Sequence, residues 1–133
     1  MQSIPVTESI LVQKVSENRI VFEFKHFYED ASLGATQAGM AVAQMYNIIS
    51  AEPQTEFTIM VILAPQSEIA TTLDSNRAYM DIILHKQVKK IAIIFDKDKH
   101  SKSVNFVVDV FQKLTDKIRI FSDQNEAKLW LDL

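Results

Sequence analysis

The chain has 133 residues, and its rarest residue types exclude the most: 2 Gly, 3 His, 1 Trp and no Cys. Without cysteine there is no disulfide, thiolate zinc site, iron–sulfur cluster or cysteine nucleophile, and two glycines fall short of the three that a G-x-G-x-x-G dinucleotide turn requires. With 14 basic and 17 acidic residues the formal charge is −3, so no global positive field points to nucleic acid.

An apolar share of 47% beside 23% charged residues predicts a single domain over residues 1–133 with a core of its own. No stretch approaches the ~18 apolar residues of a membrane span. The opening Met1-Gln2-Ser3-Ile4-Pro5-Val6-Thr7-Glu8 lacks the basic region and apolar run of a signal peptide. The sequence therefore reads as a soluble cytoplasmic protein.

From Ile10 to Phe27 two β-rich runs, Leu11 to Val15 and Arg19 to Lys25, flank the polar Ser16-Glu17-Asn18, which predicts a hairpin. Ile20, Phe22 and Phe24 alternate with Val21, Glu23 and Lys25, the period of a strand with one buried face. Residues from about Asp30 to Ser50 carry helix periodicity, with Ala38, Ala41, Val42, Met45 and Ile49 toward the sheet. Phe57 to Ala64 is a near-continuous apolar run, expected of a central strand buried on both faces.

A second helix fits Ser75 to about Lys86, and Lys90 to Phe95 reads as another buried strand. Ser101 or Ser103 caps a third helix to about Leu114, with Val104, Val107, Val108, Phe111 and Leu114 on one face. Lys117 to Phe121 is a short strand. Asp123, followed by Glu126, forms the capping-box pattern of a last helix through Trp130 to Leu133. The order ββαβαβαβα predicts an α/β domain, a mixed and mostly parallel sheet of about five strands with about four helices.

This order resembles the STAS fold of anti-sigma factor antagonists, and most of all its small SpoIIAA-like branch. The likeness is carried by the opening hairpin, the long first helix, the strand Phe57 to Ala64, the Val88-Lys89-Lys90-Ile91-Ala92-Ile93-Ile94 strand, and the close Ile118-Arg119-Ile120-Phe121 before Glu126-Ala127-Lys128-Leu129-Trp130-Leu131. In those antagonists an Asp-Ser-Ser/Thr-Gly motif opens the second helix, and its second hydroxyl accepts phosphate from a kinase. Here the place reads Leu73-Asp74-Ser75-Asn76-Arg77. Asp74 and Ser75 match, Asn76 stands where the acceptor hydroxyl would be, and Arg77 replaces the glycine. SpoIIAA-like members commonly keep the fold without this switch.

The resemblance implies a non-enzymatic regulatory or scaffolding module that binds another protein or itself, with no cofactor. On the first helix, Leu33, Gln37, Met40 and Gln44 lie away from the packing face, and together with Asp74, Ser75, Asn76 and Arg77 they make the expected partner surface. Asp74 and Ser75 also read as plain helix caps, and Thr71, Thr72 and Ser75 are hydroxyls open to modification. SpoIIAA-like domains further resemble the core of Sec14-type lipid carriers, which implies the alternative, a lipid or other small apolar ligand held between helices.

Two constellations remain. Lys97, Lys99, His100 and Lys102 follow a strand and precede a helix, a place where α/β sheets collect anions, although the interleaved Asp96 and Asp98 also suit a solvated loop. Arg77, Asp81 and His85 make a polar stripe on the second helix. Two potential metal ligands at helical spacing fall short of the three or four a site needs, and a surface ladder of ion pairs is the simpler expectation.

Overall fold

The computed structural model describes residues 5–63, 73–95 and 102–133. In chain order the elements are α1 (Val6–Ser9), β1 (Ile10–Ser16), β2 (Arg19–Phe24), α2 (Ala31–Ile49), β3 (Phe57–Ile62), α3 (Leu73–Leu84), β4 (Val88–Ile94), α4 (Lys102–Leu114), β5 (Ile118–Phe121) and α5 (Gln124–Leu131). The expected order gains one element. The single turn of α1 is too short to carry a helical period; it follows Pro5, and the Ser9 hydroxyl closes it by donating to the Val6 carbonyl at 2.7 Å. The described residues thus form an α/β unit with a five-stranded mixed sheet and five helices instead of four.

The strands lie in the sheet in chain order, β1-β2-β3-β4-β5. The polar turn after Ser16 folds β1 antiparallel onto β2, pairing Val12 with Phe22, and every later pair is parallel. Crossovers between parallel neighbours are almost always right-handed, so a sheet laid down in chain order sends successive helices to one face. The packing agrees: Ala41, Met45 and Ile49 of α2, Ile82 and Ile83 of α3, and Val108 and Phe111 of α4 share one cluster with Ile20, Ile59, Ile91 and Ile118. Alternate strand residues point the other way, and there Met60 and Ala92 pack with Ala127 and Leu131 of α5.

As expected for a strand covered on both faces, Phe57, Thr58, Ile59 and Met60 are all buried. Leu114 departs from expectation. Val108 and Phe111 are buried, whereas Leu114 is 58% exposed, because at 100° per residue it sits about 60° round the helix from Phe111. No helix among the described residues is long and apolar enough to cross a membrane.

The long α2 has a well-defined start. One Asp30 carboxylate oxygen accepts the Ser32 hydroxyl and the Ser32 N–H, each at 2.8 Å, and the Leu33 N–H at 3.2 Å. It satisfies first-turn donors that have no partner within the helix. The Ser32 hydroxyl first, then the two N–H groups, hold the carboxyl below the usual aspartate value. A depressed carboxylate stabilises the fold fully above its unfolded pKa, about 4, and the contribution is lost as pH falls through the lower folded value. Asp30→Asn is expected to keep the cap while removing this acid dependence, and Asp30→Ala to lower the melting temperature at neutral pH. Thermal melts of the three proteins against pH check both outcomes.

Candidate functional site

The flank of α2 expected to meet a partner is largely engaged inside the protein. Gln37 is 1% exposed, and its amide nitrogen donates to the Ser9 hydroxyl at 3.0 Å and the His26 carbonyl at 2.7 Å. This corrects its expected role: Gln37 ties α2 to the start of β1 and the exit of β2. Gln44 is also taken up, since its Oε1 accepts the Val12 N–H at 3.2 Å on the outer side of the edge strand β1. An edge N–H covered in this way is closed to strand addition, and the nearby Lys14–Glu52 ion pair adds charge to the same edge. Met40 is partly buried against the main core. Of the four, only Leu33, at 38% exposure, presents a substantial surface.

Asp74 and Ser75 fall in the first turn of α3, with Asn76 partly buried and Arg77 exposed; the side chains of Asp74 and Ser75 lie outside the described set, as do Thr71 and Thr72. Lys97, Lys99 and His100 also lie outside the described residues, and Lys102 is described only as the first residue of α4. The stripe on α3 forms no ladder of ion pairs among the described residues. Arg77 and Asp81 are exposed, while His85 accepts the Gln87 N–H on Nδ1 at 3.1 Å and meets the Tyr46 ring edge-on at 5.5 Å. No three of His, Cys, Asp and Glu converge among the described residues as a metal set.

The helix-covered face of the sheet holds a cavity of about 100 Å³. Its floor is built from aligned strand rows, Ile59, Ile91 and Ile118 in one and Phe22, Val61 and Ile93 in the next, with Phe24 and Leu63 beyond them. From Ile59 to Leu63 the floor runs about 13 Å along the strand at ~3.3 Å per residue. Tyr79, Ile82 and Ile83 of α3 and Val108 and Phe111 of α4 form the roof, with Phe27 at one end. Among the described residues Tyr79 supplies the one side-chain heteroatom of the lining. Desolvation pushes its phenol well above the usual tyrosine value, so the described side chains of the lining are uncharged across the working pH range.

The same residues explain why the space does not collapse. Phe27 stacks on Phe24 at 5.2 Å, Phe24 meets Tyr79 edge-on at 6.0 Å, and Tyr79 meets Phe111 edge-on at 6.3 Å. This row of rings braces β2 against α3 and α4. The isoleucines and valines below have stiff χ1 angles and cannot swing inward to fill the gap. Sequence patterning marks Phe22, Phe24, Ile59, Val61, Ile91, Ile93, Val108 and Phe111 as buried positions and assigns no packing role to Phe27, Tyr79, Ile82 or Ile83, and nothing in spacing alone marks a void.

A second feature lies on the outside of α4. Phe106, Val110 and Leu114 recur every four residues and are 68%, 39% and 58% exposed, next to an Asp109–Lys113 ion pair at 3.0 Å. The repeat was readable in the sequence for Phe106 and Val110 as well as Leu114, as an apolar arc too wide for one buried face. Comparisons with protein-family models, with curated proteins and with solved structures find no match to this chain.

Proposed function

We propose that the chain is a STAS-like domain of the SpoIIAA-like kind, acting without catalysis as a regulatory or scaffolding module that binds another protein or a second copy of itself. The element order, a hairpin followed by βα units laid down in sequence, supports the kinship. Asn76 and Arg77 at the start of α3 support a version without the phosphate switch. The observation that carries the binding role is the stripe of Phe106, Val110 and Leu114: neighbouring apolar side chains held out on a helix are the usual mark of an interaction surface. This moves the contact from α2, whose polar flank is engaged internally, to α4.

Sedimentation equilibrium of the parent chain and of a Phe106→Ser, Leu114→Ser double variant tests the self-binding form. The parent is expected to associate with rising concentration and the variant to stay monomeric with an unchanged melting temperature. A parent that remains monomeric throughout removes self-association, and a variant that associates like the parent removes α4 as the surface.

The second reading, a domain for lipid or another small apolar ligand, is favoured by one specific observation, the cavity beneath α3 and α4.

A further inference from the structure

We propose that the cavity beneath α3 and α4 is a binding site for a small, uncharged apolar molecule the size of a single aromatic ring or a short alkyl chain, and that it excludes long-chain lipid. This rests on the ligand-binding reading of the cavity and narrows the ligand it takes.

Size sets the first limit. The cavity measures about 100 Å³, close to the ~150 Å³ engineered apolar cavity that admits benzene or xenon and well below the ~300–1,000 Å³ of pockets for drug-sized ligands. A ring or a few methylenes fits; a full acyl chain would have to displace core side chains. Chemistry sets the second limit. Among the described residues the side chains of the lining, apart from the Tyr79 hydroxyl, offer only carbon, so a carboxylate, phosphate or ammonium drawn against them would lose its hydration with nothing from them to replace it. Shape sets the third. The floor spans two aligned strand rows with Phe24 and Leu63 beyond them, and the ring contacts from Phe24 through Tyr79 to Phe111 fix the roof, which favours a flat or linear guest over a branched one.

The test uses the full chain labelled at isoleucine δ1 methyl groups, titrated separately with benzene and with dodecanoate. Benzene is expected to shift the methyl signals of Ile59, Ile82, Ile83, Ile91 and Ile93 saturably, and to leave Ile62 and Ile94, on the opposite face of the sheet, unmoved; dodecanoate is expected to shift none. Val108→Phe should abolish the benzene shifts by filling the space, and Ile93→Ala should tighten benzene binding several-fold by enlarging it, so the proposal stays testable if one variant fails to fold. Dodecanoate shifts without benzene shifts overturn the inference and leave the lipid reading standing. No response to either ligand overturns both. Benzene shifts that persist in full in a folded Val108→Phe, or that spread equally to Ile62 and Ile94, overturn the assignment to this cavity.

Discussion

Gln87→Glu is expected to unfold more readily than any other single substitution considered for this protein, despite leaving the side chain almost unchanged in size. Gln87 is 7% exposed, and its amide nitrogen lies 3.1 Å from the Ile49 carbonyl, 2.9 Å from that of Glu52 and 3.1 Å from that of Thr55. Two hydrogens thus serve three acceptors, with one shared. Those carbonyls belong to the end of α2 and the turn that leads into β3, while the Gln87 backbone carbonyl accepts the Phe57 N–H at 2.6 Å. One residue therefore joins the exits of α2 and α3 to the first residue of β3.

Gln87→Ala removes the donors and is expected to cost about 2–3 kcal/mol, the loss of several net bonds, although the Ile49 and Glu52 carbonyls keep the Glu52 and Thr55 N–H groups. Gln87→Glu at neutral pH does worse, because a carboxylate has no hydrogen to offer and sets its charge against three carbonyl oxygens. Its folded pKa must rise above the unfolded value, about 4.3 for glutamate. Stability relative to the parent is then greatest below that value and is lost as pH rises through the folded pKa. Urea unfolding of parent, alanine and glutamate proteins at neutral pH and near pH 5 checks the order. A glutamate protein as stable as the parent, or one whose deficit does not shrink in acid, contradicts this role for Gln87.

The polar locks were the least legible part of the chain, and the reason is geometric. The strands could be read because the alternation of Ile20, Phe22 and Phe24 reports a single physical fact, which side of the sheet is dry. Gln37 reads as a surface residue by type, yet at 100° per residue it lies only about 40° from the buried Ala41, at the rim of the packing face. What holds it there is the Ser9 hydroxyl and the His26 carbonyl, groups on other elements that no helical period reveals. Gln44 and Gln87 repeat the lesson, since each amide answers backbone groups brought close only by the finished sheet. The order of strands was hidden for a related reason. Alternating β and α segments call for parallel neighbours but do not say which neighbours, and only the sequential order crowds α2, α3 and α4 onto one face. The cavity follows from that crowding and from ring contacts between Phe24, Tyr79 and Phe111 that depend on side-chain rotamers.

One consequence of that layout is that α5 alone, among the described helices, covers the other face, so removing its anchor should be felt throughout the fold. Leu131→Ala is expected to destabilise by about 2–5 kcal/mol, the usual range for a buried leucine. Leu131 is 4% exposed and packs with Met60, Ala92 and Ala127. An eight-residue helix has little stability of its own, so α5 (Gln124–Leu131) persists because it is docked. Its far end is also held by charge: the Lys90 ammonium donates to the Trp130 carbonyl at 3.0 Å and to that of Leu133 at 3.3 Å, and Arg19 pairs with Asp132. The Trp130 ring sits 5.7 Å from Phe121, with Lys90 at 5.3 Å and Arg119 at 5.9 Å from its centre. As the chain's 1 tryptophan, Trp130 reports on this contact directly. Leu131→Ala should shift its emission to the red and raise its quenching by acrylamide at temperatures below the main transition, because the helix loosens before the sheet unfolds. Lys90→Met keeps an apolar stem beside the ring but loses the donors and the cation, and should give a smaller shift with a loss of about 1–2 kcal/mol. If Leu131→Ala lowers stability while Trp130 emission stays at the parent wavelength, the cationic contacts and not the apolar anchor hold α5, and the order of the two variants should reverse.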